Sequence, residues 1–275
     1  MEKIAMSSSS STYFSWPRWL TCALLVNLVS IAASSQHKVQ VAEKVIERNI
    51  PAEKTATLRL VAEKATIRLR EWDESFIQLK LVFGSMHKQQ EVAERELTYM
   101  KYLVHQEEGQ ITLSNTFIFP PNIETLQGRV MVTYELAIPR QMSLEITARY
   151  CKVYLSSISG KARINSDYGN LEVLQPTGPI KIKGNATDFV LELGNTTNSI
   201  QAETRYGDVQ LITPENPTMT FDLSTTVKSI ELPAALRKQG TYEIFTFKSP
   251  KKNNSPLIRV SGILTTIKVS SPHED

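Results

Sequence analysis

Hydrophobic and polar residues alternate in short bursts along most of the chain, and from Leu144 to Leu211 the bursts recur at a near-constant interval. Tyrosine-centred segments read Tyr150-Cys151-Lys152-Val153-Tyr154-Leu155 and Tyr168-Gly169-Asn170-Leu171-Glu172-Val173. A degenerate copy follows at Ala186-Thr187-Asp188-Phe189-Val190-Leu191, and a clear one at Tyr206-Gly207-Asp208-Val209-Gln210-Leu211. Starting positions 150, 168, 186 and 206 give a period of about 18 to 20 residues. A second phase lies between them, at Gly160 to Ile164, Gly178 to Ile182 and Asn198 to Ala202. Two short alternating strands per small, fixed unit mark an all-β chain built as a β-solenoid or β-roll. Val153 and Leu155, Leu171 and Val173, Phe189 and Leu191, and Val209 and Leu211 are expected to stack as one inward column. Ala162 and Ile164, Ile180 and Ile182, and Ile200 and Ala202 form the other. One unit has too little apolar area to stand alone, so neighbours must stack to bury a continuous core.

Upstream the alternation continues. Ala56-Thr57-Leu58-Arg59-Leu60 and Ala65-Thr66-Ile67-Arg68-Leu69 have the rung pattern, and Phe76 to Phe83 reads as a longer strand. Only about residues 88–104 break it. There Ala93, Leu97, Met100 and Val104 fall at i, i+4, i+7 and i+11, which predicts one amphipathic helix, inserted or capping. It either covers an open end of the sheet or docks a partner. Strand signals return at Ile111 to Leu113 and at Arg129 to Ile138. After Leu211, Val227 to Leu232 resembles one more unit, and Leu257 to Val260 with Thr265 to Val269 would close the structure. The expected organisation is a signal peptide over 1–35, an N-terminal β region over 36–147 and solenoid repeats with closing strands over 148–275. Because Thr187 and Cys151 stand where other units have Gly207 and Gly169, close packing explains those glycines better than a left-handed turn.

The Tyr-Gly-[Asn/Asp]-apolar motif, the Ile138-Pro139 and Ser143-Leu144-Glu145-Ile146 approach to it, and Arg70-Glu71-Trp72-Asp73 resemble a bacterial family. That family carries the label “putative adhesin”, or domain of unknown function, and is common among exported proteins of Bacteroidetes. The resemblance spans most of residues 41–270. It implies a β-helical or β-roll solenoid outside the cytoplasm, while its motifs are those of repeat packing and not of catalysis. Cys151 and Ala186-Thr187 depart from the pattern.

Composition narrows the function classes. A formal net charge of +3 over 275 residues is too small for a nucleic-acid binder, and no nucleic-acid partner is expected. Lys3 and Arg18 precede an apolar run from Trp19 to Ala33 and the small residues Ala32-Ala33-Ser34-Ser35, which reads as a cleavable leader. The run is short for a membrane span, so a membrane enters only if this leader stays uncleaved. The expected location is exported: periplasmic, outer surface or secreted. Removal of the leader takes Cys22 and leaves Cys151 alone, so neither a disulfide nor a cysteine metal cage is available. His37, His87, His105 and His273 are scattered, and no cofactor or metal is expected.

Two features could bind a ligand. Lys152, Asn170, Asp188 and Asp208 occupy equivalent outward positions. Stacked Asp188 and Asp208 could hold Ca²⁺ with Lys152 as a base, or they could be turn residues bonded to nearby backbone. A second ladder, Arg163, Lys181 and Gln201, makes a modest basic strip. Tyr150, Tyr168 and Tyr206 could form an aromatic strip for a sugar or peptide, or a column that supports the sheet. No nucleophile elbow, phosphate loop or metalloprotease motif occurs. The leading expectation is a non-enzymatic interaction module for a cell-surface glycan or protein, with Lys152, Tyr168, Asn170, Asp188, Tyr206 and Asp208 as ligand-binding candidates. The alternative is a carbohydrate-active enzyme, a metal-assisted lyase or hydrolase on the solenoid wall, which would need a cleft with convergent carboxylates and a base.

Overall fold

The computed structural model describes residues 39–271 apart from 54, 124, 195, 216 and 252–254, so the leader expected over 1–35 lies outside the described residues. The first half contains β1 (Gln40–Pro51), β2 (Thr57–Glu63), β3 (Ala65–Trp72), β4 (Phe76–His87), helix α1 (Gln90–Leu97), β5 (Met100–Glu107), β6 (Gln110–Phe117) and β7 (Arg129–Pro139). The repeats supply β8 (Ser143–Arg149), β9 (Lys152–Ser156), β10 (Ala162–Leu174), β11 (Ile180–Glu192), β12 (Ile200–Arg205) and β13 (Val209–Ile212). The last part adds β14 (Thr220–Thr225), β15 (Ile230–Glu231), helix α2 (Ala234–Arg237), β16 (Thr241–Glu243), β17 (Thr246–Lys248), β18 (Leu257–Ile263) and β19 (Ile267–Ser270).

All nineteen strands among the described residues belong to one sheet, which corners fold into two walls. One wall runs β5-β6-β2-β8-β10-β11-β12-β18-β14-β17-β16, and the other β1-β4-β7-β3-β9-β10-β11-β13-β19-β15. Strands β10 and β11 turn the corner within their own length. The first half of β10 pairs in parallel with β8 and its second half with β9. The fold is thus the expected all-β solenoid, with rungs set 18 to 20 residues apart in the repeats.

Alternation puts the predicted columns inside. Ile164, Ile182, Ala202, Val173, Leu191 and Leu211 are at most 1% exposed, as are Leu60 and Ile67 of the early rung and Ile258 and Ile267 of the late one. They form one continuous core from end to end. Each of the valine, leucine and isoleucine side chains among them stabilises by roughly 1.5–3 kcal/mol when fully removed from water.

The chain corner is built by residues in the left-handed region, Lys64, Tyr150, Tyr168, Ala186, Tyr206 and Leu264, with φ between 49° and 59°. The glycines that follow the tyrosines are not in that region. A Cβ on Gly169 would lie 2.0 Å from the Cys151 carbonyl oxygen, and one on Gly207 1.9 Å from that of Thr187. Close approach is therefore why glycine is required. The departures at Cys151 and Thr187 belong to an alternation: Gly169 pairs in register with Thr187, and the Asn170 N–H donates to the Cys151 carbonyl (3.1 Å). Thr187 is buried and its Oγ1 donates to the Ser166 carbonyl (2.9 Å), sealing the corner that glycine leaves bare.

Three residues of the Arg70-Glu71-Trp72-Asp73 motif, Glu71, Trp72 and Asp73, prove structural. The Glu71 carboxylate accepts the Ser159 and Gly160 N–H groups (2.8 and 3.2 Å), Trp72 Nε1 donates to the Phe76 carbonyl (2.8 Å), and Asp73 pairs with Arg140 (2.6 Å).

Three expectations change. The helix does not reach residue 104: α1 ends at Leu97 and Met100–Glu107 is strand β5. Met100 and Val104 fit both periods. The hairpin at Gly109 (φ 73°) pairs β5 with β6 and settles the stretch as strand. Helix α1 packs on β1 and β4, where the buried Glu96 carboxylate accepts from Ser85 Oγ (3.0 Å) and from the N–H groups of Gln127 (2.7 Å) and Gly128 (3.1 Å). Second, no break falls at 147/148. β8 crosses it, and Gln40–Asp275 forms one compact unit because the β2–β3 rung inserts between β6/β7 and β8/β9. Third, β18 and β19 do not close the stack: they lie between β12/β13 and β14/β15. The ends are instead charged or short strands, β1 at one end and the two-residue β15 and three-residue β16 at the other, which discourage pairing with another chain.

Candidate functional site

The corner that carries the tyrosines exposes three aromatic rings to solvent. Tyr150, Tyr168 and Tyr206 are 45%, 49% and 59% exposed. Tyr150 and Tyr168 stack with centroids 5.1 Å apart and 17° between planes, and the Arg149 guanidinium lies 5.4 Å from the Tyr150 centroid. In the next rung the position is Ala186, and Tyr206 follows one rung further. Adjacent rungs are about 4.8 Å apart, so Tyr168 and Tyr206 are separated by about 10 Å with only a methyl group between them.

Beside this edge the register brings Lys152, Asn170 and Asp188 into one outward row, with Thr66 before them and Asp208 after. The two aspartates act on the backbone. Asp188 Oδ1 accepts the Asp208 N–H (2.9 Å), and Asp208 Oδ1 accepts the Thr266 N–H (3.0 Å) and Lys228 Nζ (3.0 Å). The Thr266 N–H, above all, holds the Asp208 carboxyl below its ordinary pKa, against the opposing effect of desolvation and with help from Lys228. Among the described residues Lys152 and Asn170 make no side-chain hydrogen bond, and no three His, Cys, Asp or Glu side chains cluster as a metal site would need.

On the other side of the edge, a concavity of about 540 Å³ includes Asn185, Arg205, Ser224 and Ser261, with the Lys183–Glu203 pair (3.8 Å) at its side. Asn185 and Arg205, which line this hollow, directly precede Ala186 and Tyr206 of the corner. The basic ladder is less basic than its sequence suggests. Arg163 registers with Glu145, Gln201 bonds to Glu203 (2.8 Å), and the ladder continues to Arg259, which pairs with Asp222 (3.0 Å).

A larger concavity, of about 750 Å³, lies on the wall formed by β1, β4, β7, β3 and β9. Sequence reasoning did not find it. The alternation of Thr66 to Arg70 does turn Arg68 and Arg70 outward. Their neighbours Glu135, Ala137, Tyr154 and Ser156 come from distant strands, and only the register reveals them.

The family model described as Toastrack DUF4097 matches residues 46–266. No curated protein matches the sequence. Among solved structures, a “putative cell adhesion protein” of Clostridium sporogenes is similar at 10% identity and TM-score 0.47, over 84% of this chain and all of that one (100%). A “putative adhesin” of Bacteroides fragilis is similar at 10% identity and TM-score 0.32, over 82% of this chain and 97% of the other. A “putative lipid binding protein” of Parabacteroides distasonis is similar at 9% identity and TM-score 0.23, over 83% and 96%. No helix among the described residues is long and apolar enough to cross a membrane.

Proposed function

Because the chain belongs to the Toastrack DUF4097 family and exposes a row of aromatic rings along one solenoid corner, we propose that it is an exported, non-enzymatic, adhesin-like module that binds a cell-surface glycan along that corner. The observation that carries the reading is the backbone of the tyrosines. Each holds φ between 56° and 59°, a conformation that costs an L side chain with a Cβ roughly 1–2 kcal/mol. Asn or Gly would meet the turn more cheaply. Tyr150 and Tyr168 recover part of this by stacking, but Tyr206 has no aromatic partner among the described residues and is the most exposed of the three. Strain without packing gain points to a surface role.

A sugar ring fits the gap over Ala186. It would sit about 5 Å from the rings on either side, the stacking distance aromatic pairs prefer. Asn170 and Asp188 on one flank and Asn185 and Arg205 on the other offer hydrogen bonds to its hydroxyls, Lys152 extends the row, and Asp208 fixes the turn. The test is a glycan array followed by thermal unfolding, since a ligand that binds only the folded state raises the melting temperature. A glycan shift without calcium, lost in Tyr168→Ala and Tyr206→Ala, supports the reading. Tyr206→Gly should also lose binding while melting no lower than the parent, because the left-handed strain is relieved. A calcium-dependent shift abolished by Asp188→Ala and Asp208→Ala would instead support the metal-assisted enzyme. Silence on both would sink the glycan assignment.

A further inference from the structure

The 750 Å³ concavity is independent of the tyrosine corner, and its charges are arranged in two rows across the wall. One row reads Glu47, Lys80, Glu135, Arg68, Tyr154. Within it Lys80 pairs with Glu135 (3.2 Å), and Arg68 lies over the Tyr154 ring (5.5 Å) without a carboxylate partner among the described residues. The second row reads Asn49, Gln78, Ala137, Arg70, Ser156. It is neutral except for Arg70, which is exposed and makes no ion pair among the described residues. The small side chains of Ala137 and Ser156 on either side of Arg70 leave the hollow open. Its volume falls in the range of ligand sites, roughly 300–1,000 Å³.

We propose that this hollow binds a carboxylated polysaccharide, with Arg68 and Arg70 each gripping a carboxylate. The two arginines are two residues apart on one face of β3, about 7 Å along the strand. That spacing suits anionic groups that repeat along a chain. A guanidinium meets a carboxylate through two parallel hydrogen bonds, a geometry that an ammonium cannot reproduce. The amide and hydroxyl groups of Asn49, Gln78 and Ser156 around the arginines match sugar hydroxyls between the acids. An acidic peptide fits less well. Strands β4, β7, β3 and β9 each have a neighbour on both sides, so no strand can be added beside the arginines, and the edge of β1, unpaired among the described residues, lies beyond β7 and β4.

The test is titration calorimetry of the intact protein with an oligogalacturonate, alongside its fully methyl-esterified form, a heparin fragment and a poly-glutamate peptide. The expected result is binding of the oligogalacturonate and loss of binding on esterification. Arg70→Ala should weaken it by at least about tenfold, as removal of a charged hydrogen bond does. Arg68→Lys combined with Arg70→Lys should weaken it too, because the charge remains while the fork is lost. Unchanged melting temperatures in these variants exclude misfolding. Tyr206→Ala should leave this binding intact, so failure here and failure at the tyrosine corner are separable. Equal affinity for the esterified chain, tighter binding of heparin or poly-glutamate, no binding of the oligogalacturonate, or an unaltered Arg70→Ala would each overturn the proposal.

Discussion

Gly207→Ala is the sharpest probe of how the rungs are held. The added Cβ falls 1.9 Å from the Thr187 carbonyl oxygen. A relaxed carbon–oxygen contact needs about 3.3 Å, so the two rungs must part locally by about 1.4 Å. That is a large fraction of the ~4.8 Å between neighbouring strands. Two hydrogen bonds cross the gap at 2.9 Å, from the Phe189 N–H to the Asp208 carbonyl and from the Asp208 N–H to Asp188 Oδ1. Parting breaks both, at about 1 kcal/mol each, with up to about 2 kcal/mol more for the buried groups left unpaired. Against this stands a gain of about 0.4–1 kcal/mol from stiffening the unfolded chain. The net loss is about 1–3.6 kcal/mol, or a fall in melting temperature of about 2–14 °C for a protein of this size. Gly109→Ala is the control. There φ is 73° but nothing lies within 4 Å of the new Cβ, so only left-handed strain of about 1–2 kcal/mol applies. Differential scanning calorimetry of both variants decides the matter. If Gly207→Ala melts at or above the parent, or Gly109→Ala proves the more damaging, close approach of the rungs is not what selects glycine.

Other substitutions test the remaining contacts. In Asp208→Asn the melting temperature should drop at pH 7, where the parent carboxylate is ionised and bonded to Thr266 and Lys228. Because the folded pKa lies below the unfolded value, that advantage is complete above about pH 4 and fades as pH falls through the folded pKa. A gap that persists undiminished to strong acid would refute the role of the charge. Glu96→Ala should cost about 2–4 kcal/mol in a urea titration, since Ser85 Oγ and two backbone N–H groups lose their acceptor. Glu96→Gln, which keeps one oxygen, should cost less. Leu191→Asp should cost several kcal/mol, by circular dichroism, as a carboxylate enters a site 1% exposed. Burial first of all raises the Cys151 thiol pKa, so iodoacetamide should label Cys151 only on unfolding.

The repeat makes the walls readable from the sequence. Period-two alternation dictates which side chains face inward, and the interval from Tyr150 to Tyr168 dictates which residues stack. The reason for the glycines is also local: a Thr at the equivalent position excludes a shared left-handed turn. Met100 and Val104 were not legible, because their spacing suits a helix and a strand alike, and hairpin pairing with β6 arbitrates.

What the sequence alone determined is the rung: its length, its inward columns and its exposed tyrosines, all consequences of neighbours in the chain. Only the tertiary structure decided the order of the rungs, with β2–β3 and β18–β19 inserted between others, because parallel pairing depends on complementary walls and not on chain order. The Ala186 gap becomes a ring-sized slot only when Tyr168 and Tyr206 are stacked on either side of it. Arg68 and Arg70 likewise become a site only when β7 and β9 bring Ala137, Ser156 and Tyr154 beside them. Such contacts join residues as far apart as Arg70 and Ser156, and no local pattern encodes them.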